Sequence, residues 1–246
     1  MARFFLPRNK IQGGRGFIEG QELEHLRKSL RLTPGDHITV FDDNGREHEA
    51  IIIALSSERG EIELLRPYQA ERESPLEITL ALGLTKGEKM DFVVEKATEL
   101  GVQTIVPFIS ARTVPKLDQK KIEKRVERWQ KIALSAAKQS GRTRIPEILA
   151  VCDLKELVKQ SFPNSVKLLF WEKEAERKLS HVREAEATVG SVVIVIGPEG
   201  GFREEEADMA RSHGYNLVGL GKRILRAETA AVTAMSLVQF LWGDLG

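Results

Sequence analysis

Val192-Val-Ile-Val-Ile-Gly-Pro-Glu-Gly-Gly-Phe202 is the stretch on which the fold turns. Five apolar residues without alternation suit a central parallel strand covered on both faces. The run stops at Gly197 and a tight Pro-Glu-Gly-Gly turn follows. Arg203-Glu-Glu-Glu-Ala-Asp-Met-Ala210 then reads as the start of a helix. Its acidic first turn suits the positive end of the helix dipole. Residues 197–202 are therefore expected as a strand-to-helix loop at the carboxyl edge of a sheet, where open α/β folds bind ligands. The glycines either let the backbone approach a ligand or serve the turn alone.

The same α/β pattern extends in both directions from that loop. From Leu76 onward, strands are expected over residues 78–84, 104–109, 166–170, 192–196 and 216–220. A helix over 89–100 ends at Gly101, a natural position for a glycine past a helix end. A long helix over 118–140 carries Ile122, Val126, Trp129, Ala133 and Ala136 on one stripe, with Lys120, Lys121, Lys124, Arg125 and Arg128 largely off it. The helix over 227–242 is mostly apolar and must be buried. Packing against a partner subunit is one way to achieve that. Residues 1–66 instead read as β-rich: a turn at 33–36, strands over 37–41, 49–55 and 61–65, and one helix over 22–30. Asn44-Gly45 is a strong hairpin signal. Residues 66–75 are polar with two prolines and read as a linker. The expected domains are a small barrel or sandwich over 1–70 and an α/β domain over 76–246.

The net charge of +1 identifies no partner, but its distribution is informative. Seven Lys/Arg face three Glu between Met1 and Arg31, and eleven face three acids between Ser110 and Pro146. Such clusters are the footprint of polyanion binding, nucleic acid above all, or they merely solubilise a helix face. A single cysteine and five scattered histidines supply no disulfide framework and no zinc-ligand spacing, so no metal is expected. No apolar run approaches a membrane span, and the N-terminus lacks a signal-peptide core. A cytoplasmic location is expected.

Three strand-end segments can carry chemistry: 170–172, 196–202 and 220–230. The second is not a P-loop, for no Gly-Lys-Ser/Thr follows, and it is not Gly-x-Gly-x-x-Gly. Gly197-Pro-Glu-Gly-Gly-Phe202, followed by Leu220-Gly-Lys-Arg-Ile-Leu-Arg-Ala-Glu-Thr-Ala230, resembles the paired signature of the SPOUT methyltransferases. More narrowly, it resembles the bacterial 16S ribosomal RNA uridine-N3 methyltransferase family. Lys86, Glu95-Lys-Ala-Thr-Glu-Leu-Gly101, Ala136-Ala-Lys-Gln-Ser-Gly-Arg142 and His25-Leu-Arg-Lys-Ser-Leu-Arg31 fit the same family, so the resemblance covers essentially the whole chain. It implies a PUA-like β-barrel before an α/β domain with a deep C-terminal trefoil knot. It also implies S-adenosylmethionine as cofactor, a homodimer with the site near the subunit interface, and the 16S rRNA of the 30S subunit as substrate.

On that frame, Leu169, Phe170, Ile196, Leu220, Ile224 and Leu225 are candidates for an apolar cofactor slot, though each alone also suits ordinary core. Gly197, Gly200, Gly201 and Gly221 let backbone amides approach closely because they lack Cβ. Glu199 or Glu172 can face the cationic sulfonium; Glu199 can equally cap the following helix. Arg226 is the catalytic candidate: a guanidinium there would stabilise the uracil imide anion as the N3 proton leaves. Its alternative role is an ion pair with Glu228 or Glu199. No histidine stands out as a general base. For RNA phosphates the candidates are Arg3, Arg8, Arg27, Lys28 and Arg31 in the first domain and Arg112, Arg142 and Arg144 in the second. Phe4-Phe5 reads as a core strand ahead of a base-stacking platform. Three other readings stay open: a non-enzymatic RNA-binding or ribosome-assembly factor, a SPOUT enzyme acting on another nucleotide, and a nucleotide-dependent oxidoreductase disfavoured by the missing fingerprint.

Overall fold

The computed structural model describes residues 2–42, 45–69, 72–113 and 118–246. The chain forms two compact units, one comprising Met1–Glu73 with Ala137–Ile145, the other Ser74–Ala136 with Pro146–Gly246. The linker expected over 66–75 begins inside a strand, since residues up to Gln69 belong to an 11-residue strand starting at Arg59. Ala70 and Glu71 lie outside the described residues, as do Asp43 and Asn44 of the expected hairpin turn.

Unit 1 is a six-stranded sheet. In chain order its strands are β1 (Arg3–Phe5), β2 (Ile11–Gln12), β3 (Arg15–Glu19), β4 (His37–Phe41), β5 (Arg46–Leu55) and β6 (Arg59–Gln69), paired in the order β1-β4-β5-β6-β3-β2. The strand β1 joins β4 in parallel, whereas β5 and β6 form a long antiparallel pair with register shifts at Glu49/Ala50 and Ile52/Ala54. Alternation sets the core: Ile18, Ile38, Val40, Ile52 and Ile62 point inward with Phe4, which is fully buried. The helix expected over 22–30 is a short α1 (Gly20–Glu24) that widens into a π turn over His25–Ser29, with Leu23 and Leu26 packed into the same core.

Two buried charge pairs explain why residues from the middle of the chain fold into this unit. Glu47 has no exposed side-chain surface and pairs with Arg3, while Arg72 approaches it at 3.6 Å. Arg3 also donates to the carbonyls of Ala137, Lys138 and Arg142, each at 3.2 Å, and lies 4.7 Å over the Phe41 ring. Arg142, only 3% exposed, pairs with Glu73 at 2.7 Å. The other Glu73 oxygen accepts the backbone N–H groups of Thr143 and Arg144 at 2.9 and 3.0 Å. The expectation that Arg3 and Arg142 meet RNA phosphates is therefore corrected: both guanidiniums are held inside the unit by carboxylates and carbonyls.

Unit 2 is a seven-stranded, all-parallel sheet with strands β7 (Glu77–Gly83), β8 (Thr104–Ile109), β9 (Glu147–Ile148), β10 (Cys152–Asp153), β11 (Val166–Phe170), β12 (Ser191–Ile196) and β13 (Asn216–Val218). The order is β10-β8-β7-β12-β11-β13, with β9 beside β8. The run that opened the reading is β12, and Val192 to Ile196 are all buried between β7 and β11. The helices are α2 (Lys89–Glu99), α3 (Gln119–Ser140), α4 (Leu154–Lys159), α5 (Leu179–Ala185), α6 (Glu204–Ser212) and α7 (Ala227–Trp242). Sequence periodicity misses α4 and α5, which are under two turns long, and the short strands β2, β3, β9 and β10, while the core strand expected at Phe4-Phe5 is β1.

On α3 the stripe is as expected: Trp129, Ala133 and Ala136 are buried, and the Trp129 indole donates to Asp91 on α2 at 3.0 Å. Helix α7 packs against α2 and β12 through Ala227, Ala231, Ala234, Met235 and Val238. Its one buried polar side chain, Gln239, donates to the Leu100 carbonyl at 2.7 Å and accepts from Ser74 at 2.9 Å. Gly101 has φ of +81° at the end of α2, and a Cβ there would sit 2.7 Å from the Gln239 amide nitrogen.

Breaking a buried pair strands the remaining charge, which typically costs about 3 kcal/mol. Arg142→Ala should therefore lower stability by about that much in urea titrations. Arg144→Ala, whose side chain is exposed, should change it by under about 0.5 kcal/mol.

Candidate active site

The segments that follow β11, β12 and β13 converge at the carboxyl edge of the sheet around a cavity of about 450 Å³. Ten of the eleven expected cofactor residues line it: Phe170, Ile196, Gly197, Glu199, Gly200, Gly201, Leu220, Gly221, Ile224 and Leu225. Arg226 lines it as well. Leu169 does not. Successive residues of a strand face opposite sides, and Leu169 is fully buried in the core with Val193, Val195 and Leu217. Its expected place in the slot is corrected on that ground.

Local geometry shapes the central loop. Gly201 donates its N–H to the Pro198 carbonyl at 2.9 Å, closing the turn. The end of β7 makes room for it: a Cβ on Gly83 would lie 2.5 Å from the Pro198 nitrogen. Gly201 has φ of +66°, a conformation that favours glycine. A Cβ there would also lie 2.5 Å from Glu172 Oε1. Phe202 turns inward, 1% exposed, and stacks on Phe108 with ring centroids 6.2 Å apart. Arg112 donates to the Gly200 carbonyl at 2.9 Å, so this RNA candidate braces the loop from outside.

The charged groups of the cavity are unequally compensated. Glu199 accepts the Lys86 backbone N–H and the Lys89 ammonium, each at 3.0 Å. Partial burial opposes its charge, but the Lys86 amide and Lys89 outweigh that and hold the carboxyl below the usual carboxylate range. Glu199 therefore ties the loop to the segment before α2 and does not cap α6. That helix is capped by Glu206, which accepts the Arg203 N–H at 2.8 Å. Lys89 lies 3.9 Å from Glu228 as well, so one ammonium serves two carboxylates. Arg226, the residue just before α7, is exposed and pairs with neither Glu228 nor Glu199. Among the described residues it makes no ion pair. Glu172 likewise lines the cavity with no hydrogen bond or ion pair among the described residues. Ile224 is 84% exposed at the lip.

The sequence reading missed Lys89, Trp171, Pro198, Phe202, Arg223, Ala227 and Ala230, all of which line the cavity. Six of these lie inside the three strand-end segments already singled out, though not among the residues expected to touch the cofactor. Lys89 comes from α2, and no spacing links it to the others. No histidine lines the cavity. Among the described residues no group of three or more His, Cys, Asp or Glu is placed to hold a metal, and no helix is long and apolar enough to cross a membrane. Of the other RNA candidates, Arg8, Arg27, Arg31 and Arg144 are exposed, and Lys28 is paired with Glu24 at 2.7 Å on the surface.

Comparison with known proteins agrees with this architecture. A sequence model described as an RNA methyltransferase domain matches residues 72–239, and one described as an RNA methyltransferase PUA domain matches residues 18–65. The Ribosomal RNA small subunit methyltransferase E of Bacillus subtilis (strain 168) is 34% identical over 248 residues, spanning 98% of this chain and 96% of that one. The protein of that name from Aquifex aeolicus (strain VF5) is 38% identical over 165 residues, 67% of this chain and 69% of its own. Among solved structures, a Ribosomal RNA small subunit methyltransferase E from Neisseria gonorrhoeae bound to S-adenosyl methionine superposes with a TM-score of 0.91 at 38% identity, covering all of both chains. A methyltransferase from Legionella pneumophila in complex with bound cofactor SAM gives 0.90 at 33% identity, covering 99% of this chain and 98% of that one.

The Glu199 tie should depend on pH. Its folded carboxyl titrates below the unfolded value of 4.5, so the stabilisation is fully present above that value and is lost as pH falls through the folded one. The stability difference between the wild type and Glu199→Gln should be constant from neutral pH down to about 5 and shrink below 4.5 in acid titrations of unfolding.

Proposed function

The chain belongs to the RNA methyltransferase family whose domain model spans residues 72–239, and on that premise we propose that it transfers the methyl group of S-adenosylmethionine to N3 of a specific uridine in the 16S rRNA of the small ribosomal subunit. The observation that carries this reading is the convergence of three strand-end segments on one cavity that holds two guanidiniums without an ion pair among the described residues, Arg223 and Arg226, and a carboxylate without one, Glu172; of the two, Arg226 stands at the positive end of α7. The relatives named for small-subunit rRNA methylation and the two cofactor-bound structures support the substrate and the cofactor. Small ribosomal subunits place the reaction in the cytoplasm.

The residues present fit that cofactor. Phe170, Ile196, Leu220 and Leu225 offer apolar walls for an adenine. A Cβ on Gly201 would crowd Glu172 at the cavity wall, and one on Gly221, with φ of +97°, would meet nothing within 4 Å, whereas the Cβ directions of Gly197 and Gly200 point at Phe202 and Arg112, so those glycines serve the packing of the loop. Bound there, the cofactor supplies an electrophilic methyl group on a cationic sulfonium. Glu172 is the carboxylate that answers that charge, because Glu199 is already neutralised by Lys89. Arg226 faces the other reactant. Uridine N3 must lose its proton to become nucleophilic, and the imide charge then spreads onto O2 and O4. A fixed guanidinium assisted by the positive end of α7 stabilises that charge as it forms. No histidine among the described residues lines the cavity, so the N3 proton leaves to solvent or to a cavity carboxylate and not to an imidazole.

Two further features belong to this reading. One is the trefoil knot of the resemblance, supported by β13 lying at the sheet edge while α7 packs on α2 and β12, which carries residues 219–226 past the ends of β11 and β12. They do so alongside the segment after β11, where Gly219 donates to the Arg177 carbonyl at 3.1 Å. The protein works as a homodimer through the outer face of α2 and α7. Phe240 is 61% exposed there, with Phe92 and Leu237 also exposed. Single exposed apolar residues are ordinary, and three of them on two packed helices support this reading.

Methyl-labelled cofactor and small subunits lacking the modification test the function directly: label should appear in 3-methyluridine. Label in another nucleoside would retain the enzyme class and reject the base. Arg226→Ala should cut turnover by roughly 100- to 1,000-fold with cofactor affinity nearly unchanged. Glu172→Gln should weaken S-adenosylmethionine roughly fivefold, the factor that about 1 kcal/mol of charge interaction supplies. Binding of neutral S-adenosylhomocysteine should not change. Equal losses for both ligands, read by calorimetry, would rule out a sulfonium contact.

A further inference from the structure

Helix α3 carries a face whose charge nothing in the fold uses. Between Asp118 and Lys131 six Lys/Arg stand against three acids, in a chain whose total net charge is only +1. At 100° per residue, Lys120, Lys131 and Lys124 fall within about 40° of one another, and Arg128, Lys121 and Arg125 continue the sector to about 140°. Glu127 borders the sector about 20° from Lys120 and Glu123 lies about 60° from it, both on the side away from Arg128, while Ile122, Val126, Trp129 and Ala133 occupy the core-facing side. Arg128 is paired with Asp91 and Lys121 with Asp118. Lys120, Lys124 and Lys131 are exposed and have no ion pair among the described residues. Along the axis they are separated by about 6 Å and about 10 Å.

We propose that this face of α3 is an RNA-docking surface, on which Lys120, Lys124 and Lys131 hold phosphates of the substrate RNA. The proposal rests on the reading that RNA is the substrate. Two features favour a phosphodiester backbone over an acidic protein. The unpaired groups form a row of cations along one helix, and neutralising successive phosphates in this way supplies the sequence-independent affinity of nucleic-acid binding. The sector also contains no aromatic or large apolar side chain, the usual anchor of a protein interface. Phosphate contacts position a substrate without reading its sequence, so this face would add affinity and leave base choice to the cavity. It would also take over work that Arg3 and Arg142, held in buried pairs, do not perform.

The test is equilibrium binding of a fluorescein-labelled single-stranded RNA over a salt series. It compares the wild type with the triple variant Lys120→Gln, Lys124→Gln, Lys131→Gln. Each lost contact removes roughly 0.7 from the log–log salt slope, so the triple variant should lose roughly 2 and bind roughly 100-fold more weakly at about 0.1 M salt. Lys124→Gln alone should lose roughly 0.7, which covers the case of a poorly folding triple variant. S-adenosylmethionine affinity should be unchanged in both. A matched variant with Lys155→Gln, Lys159→Gln and Arg211→Gln, carrying the same loss of charge elsewhere, should bind nearly as the wild type. An unchanged slope in the α3 variants, or an equal loss in the matched variant, overturns the proposal. So does a defect confined to small subunits with naked RNA bound normally, which points to a protein partner. A wild-type protein that binds cofactor but no RNA overturns both this proposal and the RNA substrate.

Discussion

The cavity depends on how closely backbone approaches backbone at the carboxyl edge of the parallel sheet. The central strands β7 and β12 run side by side, and their ends are glycines, Gly83 and Gly197. Any side chain at Gly83 would collide with Pro198. Because none is there, the Pro-Glu-Gly-Gly turn lies against the end of β7 instead of standing away from it. Three consequences follow. Glu199 comes within reach of Lys86 and Lys89, Gly200 presents its carbonyl to Arg112, and Phe202 is driven into the core against Phe108. The turn is thereby pinned from three sides, and its position sets one wall of the cavity.

Charge compensation then sorts residues that look alike in the sequence. Glu172, Glu199 and Glu228 all sit in or next to strand-end segments. Lys89 reaches two of them and leaves the third bare. Glu172 is exposed and keeps its charge in solvent without a partner, which leaves it open to a visiting cation, whereas the paired carboxylates are scaffold. The arginines divide in the same way. Arg223 and Arg226 stand free in the segment before α7, while Arg112 is fastened to a carbonyl. Charge pairing thus separates the groups that hold the loops together from those left open to the cavity.

Unit 1 shows the converse. Its N-terminal basic cluster suggests a nucleic-acid surface, yet Arg3 turns inward to Glu47 and to three carbonyls supplied by residues 137–142. Those residues belong to a motif that the sequence places in the second domain. A buried guanidinium with five donors can satisfy several carbonyls at once, and here that capacity joins segments more than a hundred residues apart in the chain. Local charge density reports on composition; only packing tells which cations face solvent.

The sequence by itself determined the parallel α/β unit, its long helices and the three segments that form the cavity. These depend on local properties: unbroken apolar runs, the 3.6-residue period, and glycines where the backbone must turn or approach. It also led to Arg226 and to ten cavity residues, because they lie in two contiguous motifs and the end of β11. What it left open was decided by tertiary structure. Leu169 belongs to the core because strand alternation turns it from Phe170. Lys89 enters the site from a distant helix. Glu199 binds Lys86 and Lys89 and not the helix next to it. Arg3 and Arg142 are structural, and residues 137–145 join the first unit. Each of these depends on which side chains meet across long sequence separations. Burial and charge pairing are properties of that meeting, and no local pattern encodes them.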